Sequence, residues 1–254
     1  MSASLAPLPT GAAAAGGVLF ARYAYPPNEH AYCGPADTQE VFADATGQQD
    51  PRGLRARAEE FAGAWPYLRL IAGANRVDDP LDPRIVRGYW LGDPPAAAVT
   101  LRTLADHVDT RFRHRAGTGW AHLGAALQPG AIPDHAFHVL AVYPWVGLLR
   151  EGVTEPARTV LESCLIRPGT VVAVDGEHVE VSVPTLVWSG NQLILERGGQ
   201  RRFRWQRDGL GFAGELRAGD DVSVHWDWVC ERLRPDAAAR LDRRLRARLR
   251  SVRC

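Results

Sequence analysis

The chain reads as an α+β protein in two parts, a helical N-terminal domain followed by a small β-barrel with a C-terminal helix. Three observations predict this. Apolar residues recur at helical spacing through residues 16–160. From Thr170 onward the texture changes to short strands broken by Gly-bearing turns. The last segment returns to a helical stripe, with Leu241, Leu245 and Leu249 standing among arginines.

The elements follow in order. Residues 1–15, rich in Ala, Pro and Ser, read as a flexible leader. Residues 16–162 form the helical domain and residues 163–254 the barrel domain. Asp37-Thr38-Gln39-Glu40 is a capping-box pattern that opens a helix through Val41 and Phe42. Leu54, Ala58, Phe61 and Trp65 repeat at helical spacing until Pro66 ends or kinks that helix. Asp82-Pro83 is an N-cap with proline at the first helical position, leading to Ile85, Val86, Tyr89 and Trp90. Leu101, Leu104, Val108 and Phe112 form the clearest amphipathic stripe. Phe137 to Leu149, apolar around Pro144, predicts a buried helix or helix pair. Thr154 to Leu161 predicts a connector helix with Thr154 as N-cap. Thr170–Val174 and His178–Val183 flank an Asp175-Gly176 turn, a hairpin signal. Leu193–Leu195, Gln200–Trp205 and Asp221–Val229 are further strands, and so many short strands suggest a small barrel.

Composition narrows the function. The chain has 254 residues, 46% apolar and 23% charged, with net charge +1. No global field favours nucleic acid or membrane. Every base is Arg; residues 1–162 carry 14 Arg against 17 acids, and residues 163–254 carry 16 against 12. No charged segment leads into an apolar core at the N-terminus, and no apolar run is long enough to span a bilayer. Cys33, Cys164, Cys230 and Cys254 include no C-x-x-C pair. The expected compartment is the cytoplasm, where thiols stay reduced.

The barrel domain opens on Cys164-Leu165-Ile166-Arg167-Pro168-Gly169, a cysteine and short apolar run ahead of Pro-Gly. A strand and an Asp-Gly turn follow from Thr170 to Val181. Near the end stand Gly219-Asp220, the strand Val222–Val224, His225, Glu231-Arg232-Leu233 and then Pro235-Asp236-Ala237-Ala238. In this order and spacing the fragments resemble the HypC/HupF chaperones that assemble nickel–iron hydrogenases, over residues 163–254. The resemblance implies an OB-like β-barrel with a C-terminal helix. It implies a metallochaperone rather than an enzyme, one that handles iron carrying cyanide and carbonyl, the Fe(CN)2(CO) unit. Its implied partners are a HypD-type scaffold protein and the hydrogenase large subunit. Cys164 would be the iron and partner contact and His225 a second metal ligand. A thiolate suits low-valent iron bearing π-acceptor ligands. The chain departs from that family's pattern in three places. Its cysteine is internal, Arg167 stands at a usually apolar position, and Trp226-Asp227-Trp228-Val229 replaces a residue run ending in Gly-Phe-Ala. In a straight strand Asp227 shares a face with His225; orienting the imidazole would require a bent backbone.

Two other readings stay open. Phe20-Ala21-Arg22-Tyr23-Ala24-Tyr25-Pro26-Pro27-Asn28, Tyr32-Cys33-Gly34-Pro35 and Asp134-His135-Ala136-Phe137-His138 resemble an uncharacterised actinobacterial family, which supplies no function. His135 and His138 share a helix face. With Cys33 or His122 they would make a metal site or a Cys–His catalytic pair. Cys33, in a turn ahead of a helix N-terminus, is expected to have a lowered thiol pKa. The second reading is an OB-like module for a partner or nucleic acid. Phe203, Trp205, Trp226 and Trp228 would stack, and arginines from Arg240 to Arg253 would meet phosphates. Interleaved acids argue against nucleic acid. Cys230 reads as structural and Cys254 as inert.

Overall fold

The computed structural model describes residues 12–48, 50–116, 123–124, 126–189 and 192–252. Helix α1 (Ala12–Glu29) has no polar face, and Val18 to Ala21 and Tyr23 to Asn28 are buried. A helix apolar on all sides packs on all sides, and α1 lies between the other helices and the barrel. Sequence reading missed it. Its first residues fall inside the segment read as a leader, and Pro26-Pro27 reads as a break. Both prolines sit near its C-terminal end, where they remove N–H groups. Pro27 thereby leaves the carbonyl of Tyr23 without its helical donor, which matters below.

The caps at Asp37 and Asp82 form as the sequence requires. Helix α2 (Thr38–Ala45) starts at Asp37, whose side chain accepts from the Glu40 N–H. Helix α3 (Pro51–Glu59) stops before Phe61. Pro66 then lies in the first turn of α4 (Trp65–Asn75), so it opens a helix instead of ending one. Its missing N–H is among those a helix start leaves unbonded anyway. Asp82 caps α5 (Pro83–Leu91). After the short α6 (Pro94–Ala97), α7 (Leu101–Ala116) buries Leu104, Val108 and Phe112. The apolar segment around Pro144 is a helix pair. It comprises α8 (His135–Phe137), continued by a π-helical turn His138–Val142, and then α9 (Trp145–Arg150). Helix α10 (Thr154–Cys164) has Val153, not Thr154, at its N-cap and runs past Leu161 to include Cys164.

Five strands then pair in a ring: β1 (Arg167–Asp175), β2 (His178–Ser182), β5 (Gln200–Arg204), β9 (Trp228–Arg232) and β8 (Asp221–His225), which pairs back with β1. All joints are antiparallel except β5–β9, where the single parallel pair is Arg204 with Trp228. This is a five-stranded, OB-like barrel, filled by Val171, Val179, Val181, Phe203, Val222 and Val224 among others. A separate hairpin, β3 (Thr185–Trp188) with β4 (Leu193–Glu196), and a tiny one, β6 (Gln206–Arg207) with β7 (Leu210–Gly211), lie outside the ring. The strand expected over Asp221–Val229 is in fact β8, a turn at Trp226-Asp227, and the start of β9. Helix α11 (Pro235–Ser251) buries Leu241, Leu245 and Leu249.

One buried cluster joins the helical and barrel regions. It holds Phe20, Tyr23 and Tyr25 of α1 together with Ile166, Phe212 and Trp228. Trp228 is 0% exposed, stacks on Phe212 at 4.9 Å and donates its indole N–H to Glu29 Oε2 at 2.8 Å. Trp228→Ala is expected to cost about 3–5 kcal/mol, the usual loss for a buried aromatic. Urea unfolding measures it, and a loss under about 1 kcal/mol would show that this junction is not core.

Four arginines of α11 are engaged within the protein, while Arg243 and Arg250 are exposed. Arg240 pairs with Asp236, Arg246 with Asp242, Arg244 with Asp93 and Arg248 with Asp134. Phe203 and Trp228 are buried, so the stacking face imagined for nucleic acid loses two of its aromatics. Among the described residues no helix is long and apolar enough to cross a membrane.

Candidate functional site

Three stretches of chain meet around a cavity of about 140 Å³. The first follows α1. Buried Asn28 donates from Nδ2 to the carbonyls of Cys33 at 2.8 Å and Pro35 at 2.7 Å. The turn it fixes holds Gly34 at φ +85, a conformation glycine adopts freely, and a Cβ there would strike the Phe61 ring. This turn presents Cys33 to the cavity. The second stretch is α8 and its π-helical turn, which supply His135 and His138. The third pairs two element ends: Cys164 closes α10 and His225 closes β8.

The β8–β9 turn holds that last pair in place. Trp226 sits at φ +55, uncommon for a bulky residue. Its N–H donates to the Ser163 carbonyl at 2.8 Å, and its ring packs against His30 at 4.9 Å and Tyr32 at 4.4 Å. The end of β8 is thus tied to the end of α10. Because the chain reverses here, Asp227 turns away from His225 and meets His30 Nε2 at 2.9 Å. The straight-strand relation between Asp227 and His225 therefore does not hold.

The orienting group for His225 comes instead from α1. Its Nδ1 lies 2.8 Å from the Tyr23 carbonyl, the one that Pro27 leaves without a helical donor. A carbonyl only accepts, so Nδ1 carries the proton and Nε2 the lone pair. That Nε2 is buried and has no hydrogen-bond partner. His135 is held in the other tautomer, with Nε2 donating to the Cys164 carbonyl at 3.0 Å. His138 Nδ1 lies 3.2 Å from the Tyr67 hydroxyl.

Burial sets the protonation states. It drives the His135 imidazole down to about 4, with the Cys164 carbonyl opposing. It drives His225 well below the usual range, and neighbouring His135 adds to the effect. Both rings are neutral at pH 7. Burial also pushes both thiols up to about 12, Cys33 by desolvation and Cys164 by desolvation reinforced by Cys33. The expectation of a lowered Cys33 thiol is therefore overturned. Helix α2 begins only at Thr38, its N-terminal donors are served by Asp37, and the dry wall around the sulfur dominates.

A pH dependence of stability follows from His135. Its folded pKa lies below the unfolded value near 6.5, so the unfolded chain takes up the proton first as pH falls. The stabilising neutral state is complete above pH 6.5 and is lost down to about pH 4. At pH 5 the loss is about 2 kcal/mol relative to pH 8. His135→Gln, which keeps a donor for the Cys164 carbonyl, is expected to make the wild-type decline between those pH values shallower by about that amount, the rest coming from His225 and His107. Equal slopes in urea titrations of the two proteins would reject this assignment.

The arrangement offers two protonated thiols, three imidazoles and aromatic walls that include Tyr89, Trp90, Tyr143 and Trp145. Neutral imidazoles are ligands rather than acids, and a soft metal displaces the proton of a thiol it binds. No three of these groups bring ligand atoms within 4.8 Å of one another; among the described residues only Glu29, His30 and Asp227 do so. That trio is already engaged, Glu29 accepting from Tyr25 and Trp228. The sequence-derived candidates Cys164, His225, Cys33, His135 and His138 all line the one cavity. His122 and Cys254 lie outside the described residues. Sequence reasoning missed Trp226, whose left-handed turn has no signature in a tryptophan, and the role of Pro27 in freeing a carbonyl.

A family model described as a family of unknown function, DUF6390, matches residues 12–254. No curated protein and no solved structure matches the chain.

Proposed function

The chain belongs to the DUF6390 family, a family of unknown function, and we propose that it is a HypC-like assembly factor for nickel–iron hydrogenase. In this reading it takes the Fe(CN)2(CO) unit as cargo, with Cys164 as thiolate ligand and His225 as second donor. It receives or passes the unit in contact with a HypD-type scaffold or the hydrogenase large subunit.

The observation that carries the reading is the meeting of Cys164 and His225 at one cavity, with His225 Nε2 buried and unpaired. They are the residues singled out by the HypC-like pattern. A lone pair kept dry without a partner is costly unless something fills the role. Size agrees: one iron with two cyanides and one carbonyl is little larger than benzene, which fills a cavity of about 150 Å³. The aromatic walls would shield such a unit from water and oxygen, and a thiolate is the electron-rich donor it favours. A thiol-enzyme reading centred on Cys33, His135 and His138 uses the same cavity. It is the weaker one, because both thiols are held protonated and a thiolate is the nucleophile.

Anaerobic co-expression with a HypD-type scaffold and the large subunit tests the proposal. The expected result is co-purification with at least one of them and iron bound to the assembly. Recovery of this chain alone and free of iron would count against it.

A further inference from the structure

We infer that Cys33 is a second thiol ligand of this site, so that a soft, low-valent metal unit is held between Cys33 Sγ and Cys164 Sγ with His225 Nε2 as third donor. The inference rests on the reading above for its cargo, but the ligand set is argued from the cavity itself.

Both thiols line the same cavity and are free of disulfide. Cys164 is 5% exposed at the end of a helix, and Cys33 sits on a turn beside Tyr32 with its sulfur walled in as well. The buried, unpaired Nε2 of His225 belongs to the same lining and supplies a third donor of compatible softness. Their ligand atoms are more than 4.8 Å apart as a set, so binding has to draw them together. Cys164 and His225 are fixed by a helix, a strand and the Trp226 turn, and Cys33 lies on a turn held through the Asn28 side chain, so side-chain rotation has to bring the sulfurs together. Binding then releases the thiol protons to solvent and leaves the sulfurs as thiolates.

Cadmium(II), a thiophilic ion without redox chemistry, serves as the probe in the full-length reduced protein. One equivalent is expected to release two protons at pH 7, one from each thiol, read in weakly buffered solution. It should also give ultraviolet thiolate-to-cadmium absorption that falls by about half in Cys33→Ser, with affinity weakened about tenfold or more. The proton count uses the wild-type chain, so it stands even if a variant misfolds. Release of one proton or none would overturn the inference, as would absorption and affinity unchanged in Cys33→Ser. Release of two protons in a protein that never carries carbonyl or cyanide would keep the two-thiol site and reject only the hydrogenase cargo.

Discussion

Replacing Cys164 with Ala is expected to abolish cargo loading while leaving the fold intact. The side chain is buried in a cluster with Leu161, Leu165 and Leu186. Trimming one sulfur from that cluster costs about 1–2 kcal/mol, the lower range for large-to-small core changes. For a chain of this size that is a melting shift of about 2–8 °C. The metal effect is of another order. Of the two thiols, Cys164 is the one fixed at a helix end, on the same cavity lining as His225. Without it, neither Cys33 nor His225 has a rigid partner. Iron retained per chain is expected to fall by at least about tenfold. Iron unchanged in a variant whose melting temperature has moved by only a few degrees would remove Cys164 from the site.

Glu162→Ala is expected to have a large effect on stability. Glu162 is buried in the last turns of α10 and accepts from Arg167 Nη1 at 2.9 Å, Arg158 Nη1 at 3.0 Å and the Leu186 N–H at 3.2 Å. Arg167 is itself 2% exposed, and burial lowers its pKa only to about 10, so it stays charged at neutral pH. Removing the carboxylate strands that charge with the Pro184 carbonyl as its remaining strong acceptor. Breaking a buried pair in this way costs about 3–5 kcal/mol. The double change Glu162→Leu with Arg167→Met is expected to recover most of it, since an apolar pair of similar volume often replaces a buried ion pair without loss. Denaturant unfolding of the single and double variants decides the matter; a single variant within about 1 kcal/mol of wild type would show that the pair is not the tie between α10 and the barrel. Glu162 lies two residues before Cys164, so the same network anchors the last turn of α10 that carries the thiol.

What the sequence discloses is local. The caps at Asp37 and Asp82, the stripe on α7, the Asp175-Gly176 hairpin and the leucine face of α11 each depend on residues within a few positions of one another, and they form as read. Arg167, out of place in an apolar run, is explained only by Glu162 across the turn from helix to strand. Helix α1 was hidden because two prolines and a glycine pair obscure its pattern, yet it is the element on which both halves pack. Pro66 was misread because proline ends one helix and starts another with the same chemistry. The site shows the same division. The HypC-like pattern selects Cys164 and His225, and spacing selects His135 and His138. That Cys33 joins them depends on α1 turning back at Asn28, on a tryptophan in a left-handed turn, and on contacts between residues far apart in the chain.

The central claim is that Cys164 and His225 hold an iron–cyanide–carbonyl unit in the cavity between helices and barrel. Infrared spectroscopy of protein purified anaerobically after co-expression with a HypD-type scaffold tests it most directly. Carbonyl and cyanide stretching bands in the wild-type sample, lost in Cys164→Ala, are the result expected. A spectrum without such bands in a correctly folded wild-type complex, or bands that persist in Cys164→Ala, would contradict it.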